Sequence, residues 1–226
     1  MSEPIRVAYS GGRDSTALAI YLKEQGRSIE LVMADTGAEL PETYWFAPHA
    51  ARVLGVKLVV VSNKTFFQQV AAYGYLLPSV RVRWCTKELK KQPLDRYDKE
   101  MALGIRADEP NRMPSAYRPL VDAGIGEREV AELVAQYDLL NPAYKWRSSV
   151  SCFCCPFQRP WDWRNLWREH PALYAVAERW EELSIENSHG FTWNERFTLK
   201  QVRESSEDQV SLFPECAERA CVICET

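Results

Sequence analysis

No stretch of this sequence approaches the length of apolar residues that a membrane span needs. The opening residues "MSEPIRVAYS" lack the apolar core of a secretory signal. A cytoplasmic protein with no membrane partner is the expectation. Histidine is scarce, three in 226 residues, and none falls inside the cysteine groups, so a metal site there would rest on thiolates. The net charge is only −3, which gives no global sign of a nucleic-acid partner, although a mildly acidic protein can carry a local basic groove. Internal repeats and low-complexity linkers are absent. So are G-x-x-x-x-G-K-[ST] and G-x-G-x-x-G, which excludes the two commoner phosphate cradles.

What is present reads as a folded domain. With 46% hydrophobic and 26% charged residues, the chain has ordinary globular composition and length for one sizeable domain or a domain with an appendage. Its seven cysteines are odd in number and grouped tightly, which favours metal or redox chemistry over a disulfide framework.

Residues 5–9, 29–34, 57–62 and 101–107 have strand character. Helical spacing or end signals mark 15–25, stopped by Gly26, then 42–54, opened by Pro41 and stopped by Gly55, and 65–73. This alternation predicts an α/β fold, a Rossmann-like parallel sheet with helices on both faces. Beyond Pro119 the pattern predicts one more helix at 127–137, an irregular cysteine-bearing loop, and one or two Trp-rich helices over 161–184 broken near Pro171. The expected organisation is a nucleotide-binding α/β domain over 1–125, with a helical, cysteine-rich C-terminal part over 126–226 packed on it.

The break between the first strand and first helix falls on Ser10-Gly11-Gly12-Arg13-Asp14. A helix that starts beyond a parallel strand offers free N–H groups and the positive end of its dipole to an anion. Gly11 and Gly12 permit close backbone approach, Ser10 and Ser15 add hydroxyl donors, and Arg13 adds positive charge. Asp14 would repel phosphate, so it either caps the helix or holds a cation such as Mg2+ against the phosphates. The loop reads as an anion cradle for a nucleotide.

"SGGRDST" resembles the pyrophosphate loop of the PP-loop ATP pyrophosphatase (adenine nucleotide alpha hydrolase-like) superfamily. "ADTGAELPETYWF", "GIRADEPNR", "YRPLVD" and "NPAYKWRSSVSC" follow in the order found in the phosphoadenosine phosphosulfate (PAPS) reductase-like family. The resemblance implies an adenine nucleotide as ligand. It places Asp35 and Thr36 beside adenine or ribose, and makes Arg106 and Arg112 a clamp on the outer phosphates or the leaving pyrophosphate. The implied enzyme binds ATP with Mg2+ and cleaves it between the α and β phosphates, adenylating an acceptor for sulfur transfer. Asp14, Arg13 and Arg106 would be the catalytic residues, and Ser10, Gly11, Gly12 and Ser15 the pyrophosphate grip.

Some relatives hold a [4Fe-4S] cluster with a cysteine pair after the third helix and a later C-x-x-C. Cys85 resembles the first element but is followed by Thr86, while Cys152 and Cys155 have the C-x-x-C spacing with Cys154 extra. The fourth ligand is Cys154 or one of Cys216, Cys221 and Cys224. Thiolates suit Zn2+ as well, which stands as the alternative cofactor. "CVICET" lacks the glycine and histidine of the tail motif that carries the PAPS reductases' attacking cysteine.

Around Cys85 lie Arg81, Arg83, Lys87, Lys90 and Lys91, and after Cys155 come Arg159, Arg164 and Arg168 among Trp161, Trp163 and Trp167. Such a mixture suits a nucleic-acid backbone and its bases, or else Trp163 and Trp167 face a core. The expected partners are therefore nucleic acid or a sulfur-donor protein. The rival functions are a PAPS or adenylyl sulfate reductase, a deazaguanine synthase-like pyrophosphatase with structural zinc, and an ATP-binding Fe-S sensor or docking subunit.

Overall fold

Four parallel strands form the sheet: β1 (Ile5–Ala8), β2 (Ile29–Ala34), β3 (Lys57–Val61) and β4 (Ala102–Leu103), in the order β3-β2-β1-β4. The computed structural model describes residues 3–187 and 190–212, so Cys216, Cys221 and Cys224 lie outside the described residues. Among the described residues no helix is long and apolar enough to cross a membrane.

The sheet has the two faces that its sequence pattern implies. Ile29, Leu31 and Met33 of β2 and Val7 of β1 join a hydrophobic cluster with α1 (Arg13–Glu24), α2 (Pro41–Leu54) and α6 (Glu127–Gln136). The alternate side chains face the other way. Arg6 of β1 pairs with Asp98 at 2.8 Å, and Glu30 of β2 takes a 2.7 Å hydrogen bond from Tyr97 and a 2.7 Å ion pair from Lys57. Tyr97 ends α4 (Gln92–Tyr97), which packs on β2 and β3, so helices cover both faces as the alternation required.

β4 is shorter than the strand character of 101–107 implies. It turns away after Leu103, where the Ile105 N–H bonds back to the Leu103 carbonyl and the Ala107 N–H bonds to Ile125. Over 161–184 the prediction of a break near Pro171 holds: α7 (Pro160–Glu169) and α8 (Pro171–Glu186) meet at His170. α3 (Phe66–Ala72) starts from a Thr65–Gln68 capping box, which fixes its first turn. A π-helical turn, Thr86–Lys91, follows Cys85 and leads into α4; nothing in the sequence announced it. The short α5 (Pro119–Asp122) precedes α6, and α9 (Leu199–Leu212) follows α8.

α6 lies against α1 in the sheet's cluster. A second cluster joins Phe66, Val70, Leu77, Trp84 and Leu89 from the first half of the chain to Phe153, Trp163, Tyr174, Trp180 and Trp193 from the second. Trp163 is fully buried and Trp167 packs against the same cluster, so of the three tryptophans between 161 and 167 only Trp161 is open to solvent.

Candidate active site

The loop after β1 is built by glycine geometry and by two residues that arrive from far along the chain. Gly11 has φ +71°, and a Cβ there would stand 3.0 Å from Thr43 Cγ2, so strain and space both require glycine. α1 begins at Arg13, earlier than its apolar spacing suggests, with Gly12 as the N-cap. Asp14 therefore lies in the first turn and does not cap the helix. Ser10 and Ser15 share a 3.2 Å hydroxyl contact, and the Ser15 hydroxyl donates to the Gly12 carbonyl at 3.0 Å.

Asn141 and Tyr144 clamp this loop. The Asn141 side-chain amide donates to the Gly11 carbonyl at 3.1 Å, and the Tyr144 hydroxyl accepts from the Arg13 N–H at 3.0 Å. Sequence reasoning grouped both in the "NPAY" run but assigned neither a role; the only signal was a family likeness. Gly104, just beyond β4, was missed as well. A Cβ on it would lie 2.8 Å from the Asp14 carbonyl carbon and oxygen and from the Ser15 nitrogen. The glycine is what allows β4 to press against the first turn of α1.

Asp14 faces Arg106, whose Nη1 donates to Oδ2 at 3.3 Å, while Arg106 Nη2 and Nε hold Asp108 at 2.8 and 3.0 Å. Hydrogen bonding to Asp108 raises the Arg106 pKa against the opposing cost of its burial, so its charge is fixed at any working pH. Arg13 is not free over the loop: its guanidinium pairs with Glu127 of α6 at 2.8 Å and its Nε lies 3.7 Å from Asp14. Arg112, more than half exposed, pairs with Glu109 at 2.8 Å instead of reaching the loop.

At the end of β2, Asp35 accepts from the Gly37 N–H at 2.8 Å and from the Tyr44 hydroxyl at 2.7 Å. Burial, then Asp35, push the Tyr44 phenol up. Thr36, expected beside adenine or ribose, is 1% exposed, donates to Glu39 Oε1 at 2.8 Å and lies 3.5 Å from Cys152 Sγ.

The four described cysteines, Cys85, Cys152, Cys154 and Cys155, lie near enough to one another to interact electrostatically. The Phe153 N–H bonds to the Ala38 carbonyl at 2.9 Å, tying the "CFCC" loop to the segment after β2. Burial, then Glu39, push the Cys152 thiol up to about 12; burial also raises Cys154 and, with Cys155 adding to it, Cys85. Lys90, partly buried, has its pKa raised by the charge that Cys152 and then Glu39 carry when ionised, with Cys155 and Cys85 adding to it. Arg147 is 1% exposed and gives one hydrogen bond, to Ser151 Oγ at 3.0 Å, while its Nε and Nη1 are buried without partners. Among the described residues no group of three or more His, Cys, Asp or Glu side chains is arranged to hold a metal ion. The donor chemistry nevertheless fits an anionic metal–thiolate centre, because the buried Arg147 guanidinium close in sequence to the CFCC loop keeps two donors unpaired.

A parallel doubly covered sheet, with an anion-receiving turn at the carboxyl end of β1, defines a Rossmann-like protein of the nucleotide-binding kind. The chain belongs to the phosphoadenosine phosphosulfate reductase domain family, whose model matches residues 4–137. It is similar to the uncharacterized protein MJ0066 of Methanocaldococcus jannaschii, at 28% identity over 81% of this chain and 42% of that one. It also resembles the uncharacterized nin region protein ORF290 of Escherichia phage lambda, at 30% identity over 47% of this chain and 49% of that one. The chain thus spans less than half the length of these relatives. Its fold matches the crystal structure of PAPS reductase from Candida auris in complex with phosphate, with a TM-score of 0.51, 15% identity, and coverage of 67% of this chain and 82% of that one.

Proposed function

We propose that the chain binds Mg2+-ATP at the loop after β1 and cleaves it between the α and β phosphates, adenylating an acceptor for sulfur transfer. The observation that carries this reading is the Asp14–Arg106 pair at the mouth of a glycine turn, with the Ser10 and Ser15 hydroxyls beside it. An acceptor oxygen attacks the α phosphorus and pyrophosphate leaves with the bridging oxygen; a nucleophilic sulfur then displaces AMP from the adenylated acceptor. No side chain needs to act as nucleophile, because positioning and charge stabilisation suffice for such chemistry.

In this scheme Ser10, Gly11, Gly12 and Ser15 grip the outer phosphates. Arg106, held at the mouth by Asp14 and Asp108, offsets the charge that builds on the leaving pyrophosphate. Asp14 supplies the carboxylate for Mg2+, which neutralises phosphate charge when bound. Asp35 is placed for a ribose or adenine donor. Arg13 acts through Glu127 and Asp14 to set the entrance of α1, and Arg112 has a peripheral role at most. Cys85, Cys152, Cys155 and a fourth cysteine, Cys154 or one from the tail, would hold a [4Fe-4S] cluster, which supplies electron-transfer or sulfur-anchoring chemistry; zinc is the alternative.

The family itself supports a second reading, reduction of PAPS or adenylyl sulfate. A nucleotide panel assayed anaerobically for pyrophosphate and sulfite separates the two. ATP is expected to yield AMP and pyrophosphate, with Asp14→Asn slower by about 10²–10³-fold, the cost of losing one preorganised charge contact. Sulfite from either sulfonucleotide with no pyrophosphate from ATP would overturn the proposal. Iron and acid-labile sulfide measured on the same anaerobic protein are expected at cluster stoichiometry; a full equivalent of zinc without iron refutes the cluster.

A further inference from the structure

The outer face of the cysteine group is a second feature, distinct from the nucleotide turn. Two loops meet there. Residues 79–85 and 155–161 are brought side by side by the Arg83 guanidinium, which lies 4.8 Å from the centre of the Phe157 ring. Arg83 is two residues before Cys85 and Phe157 two residues after Cys155, so each loop turns a thiol inward and a cation or an aromatic ring outward. Phe157 is 53% exposed and Trp161 41% exposed, while Arg81, Arg83, Lys87 and Arg159 are all exposed.

Charge is segregated here against the overall balance of the chain. Neither Asp nor Glu occurs from residue 43 to residue 87, nor from 139 to 161, in a sequence whose net charge is −3. Among the described residues, three carboxylates close to these loops already have partners. Glu195 pairs with Arg81 at 3.7 Å, Glu88 accepts from Tyr73, and Asp162 is buried, with the Ser148 N–H and hydroxyl and the Arg159 N–H as its donors.

We propose that this surface binds single-stranded nucleic acid, the acceptor of the adenylation and sulfur transfer described above, and in that role the proposal rests on that reading. Cations along two loops follow a phosphate backbone, and exposed rings beside them offer faces on which unpaired bases stack. An acidic polypeptide would satisfy the cations but leave Phe157 and Trp161 without a use. Cys85 and Cys155, both partly exposed, each lie two residues from the Arg83–Phe157 contact at the centre of this face.

The test is fluorescence anisotropy with labelled mixed-sequence single-stranded DNA, the same sequence as RNA, and a blunt duplex, using the full chain. Wild type is expected to bind one or both single strands in the micromolar range or tighter, at least about tenfold more tightly than duplex, and to weaken steeply between about 50 and about 200 mM salt. Phe157→Ala is expected to lose about five- to a hundredfold, the worth of one stacked base. Arg83→Glu should lose at least as much and flatten the salt dependence, whereas Arg128→Glu, an exposed cation on α6, should bind as wild type does. Arg83→Ala, a milder change, guards against loss by misfolding, with thermal melting of each variant as the check.

Absence of single-strand binding, equal affinity for duplex, retention of affinity in both Arg83→Glu and Phe157→Ala, or equal competition by polyglutamate would each overturn the proposal. Pyrophosphate release from ATP is measured on the same preparations with and without the strand, water being the slow acceptor in its absence. If release persists while no strand binds, the surface fails and the nucleotide reading stands; if a strand binds and no pyrophosphate forms even with it present, the nucleotide reading fails alone.

Discussion

Gly104→Ala is expected to slow ATP cleavage by about 10²-fold while the protein remains folded. The added methyl would sit 2.8 Å from three backbone atoms of Asp14 and Ser15, where no flexible side chain can yield. Either β4, paired to β1 through Val7 with Ala102 and Ala8 with Leu103, must shift outward, or the first turn of α1 must retreat. β1 is bound to β2 on its other side, and α1 is fixed by fully buried Leu18, Ala19 and Ile20, so both routes meet resistance. Overpacking of this kind costs about 1–3 kcal/mol, and about 2–4 °C in Tm for each kcal/mol in a chain of this size.

The functional loss should be larger than the stability loss. A displacement near 1 Å moves Asp14 and the N–H groups of the anion turn together, and misplacement on that scale costs about 10²-fold in rate. Differential scanning fluorimetry and pyrophosphate release measured side by side check the expectation. Wild-type turnover in Gly104→Ala would show that the contact between β4 and α1 is not part of the site.

Arg106→Ala is expected to lower pyrophosphate release by about 10²–10³-fold with a smaller effect on ATP affinity, because the guanidinium is assigned to charge that develops as pyrophosphate leaves. Arg106→Lys discriminates further. Arg106 uses Nε and Nη2 on Asp108 and a third nitrogen on Asp14. An ammonium cannot reproduce that planar fork, so one charged hydrogen bond is lost, worth ~1.5–3 kcal/mol or about ten- to a hundredfold. The pH–rate profile should keep its shape in the lysine variant at neutral pH, since both side chains stay charged there. A rise in KM with kcat unchanged would assign Arg106 to ground-state binding instead.

The electrostatic arrangement explains why the residues at this mouth had to be sorted by the fold. In the sequence, Arg13, Arg106 and Arg112 look alike as phosphate ligands. In space Glu127 claims Arg13, leaving it 3.7 Å from Asp14, Glu109 claims Arg112, and Arg106 is the arginine that hydrogen-bonds Asp14. The carboxylate partners come from α6 and from the turn after β4, and no local pattern specifies which arginine each will meet.

The amino-acid sequence by itself determined the parallel sheet and the position of the glycine turn that follows its first strand. Each is a local constraint: alternation of buried strands with helices, two adjacent glycines at a strand end. The tertiary structure alone decided that Asn141 and Tyr144 hold the loop about 130 residues before them, that Gly104 must lack a side chain, and that Thr36 meets Glu39 and Cys152. It alone laid Arg83 over Phe157. These outcomes depend on how two hydrophobic clusters, each drawn from both halves of the chain, pack together, and packing at long sequence separation leaves no periodic trace in the residues it joins.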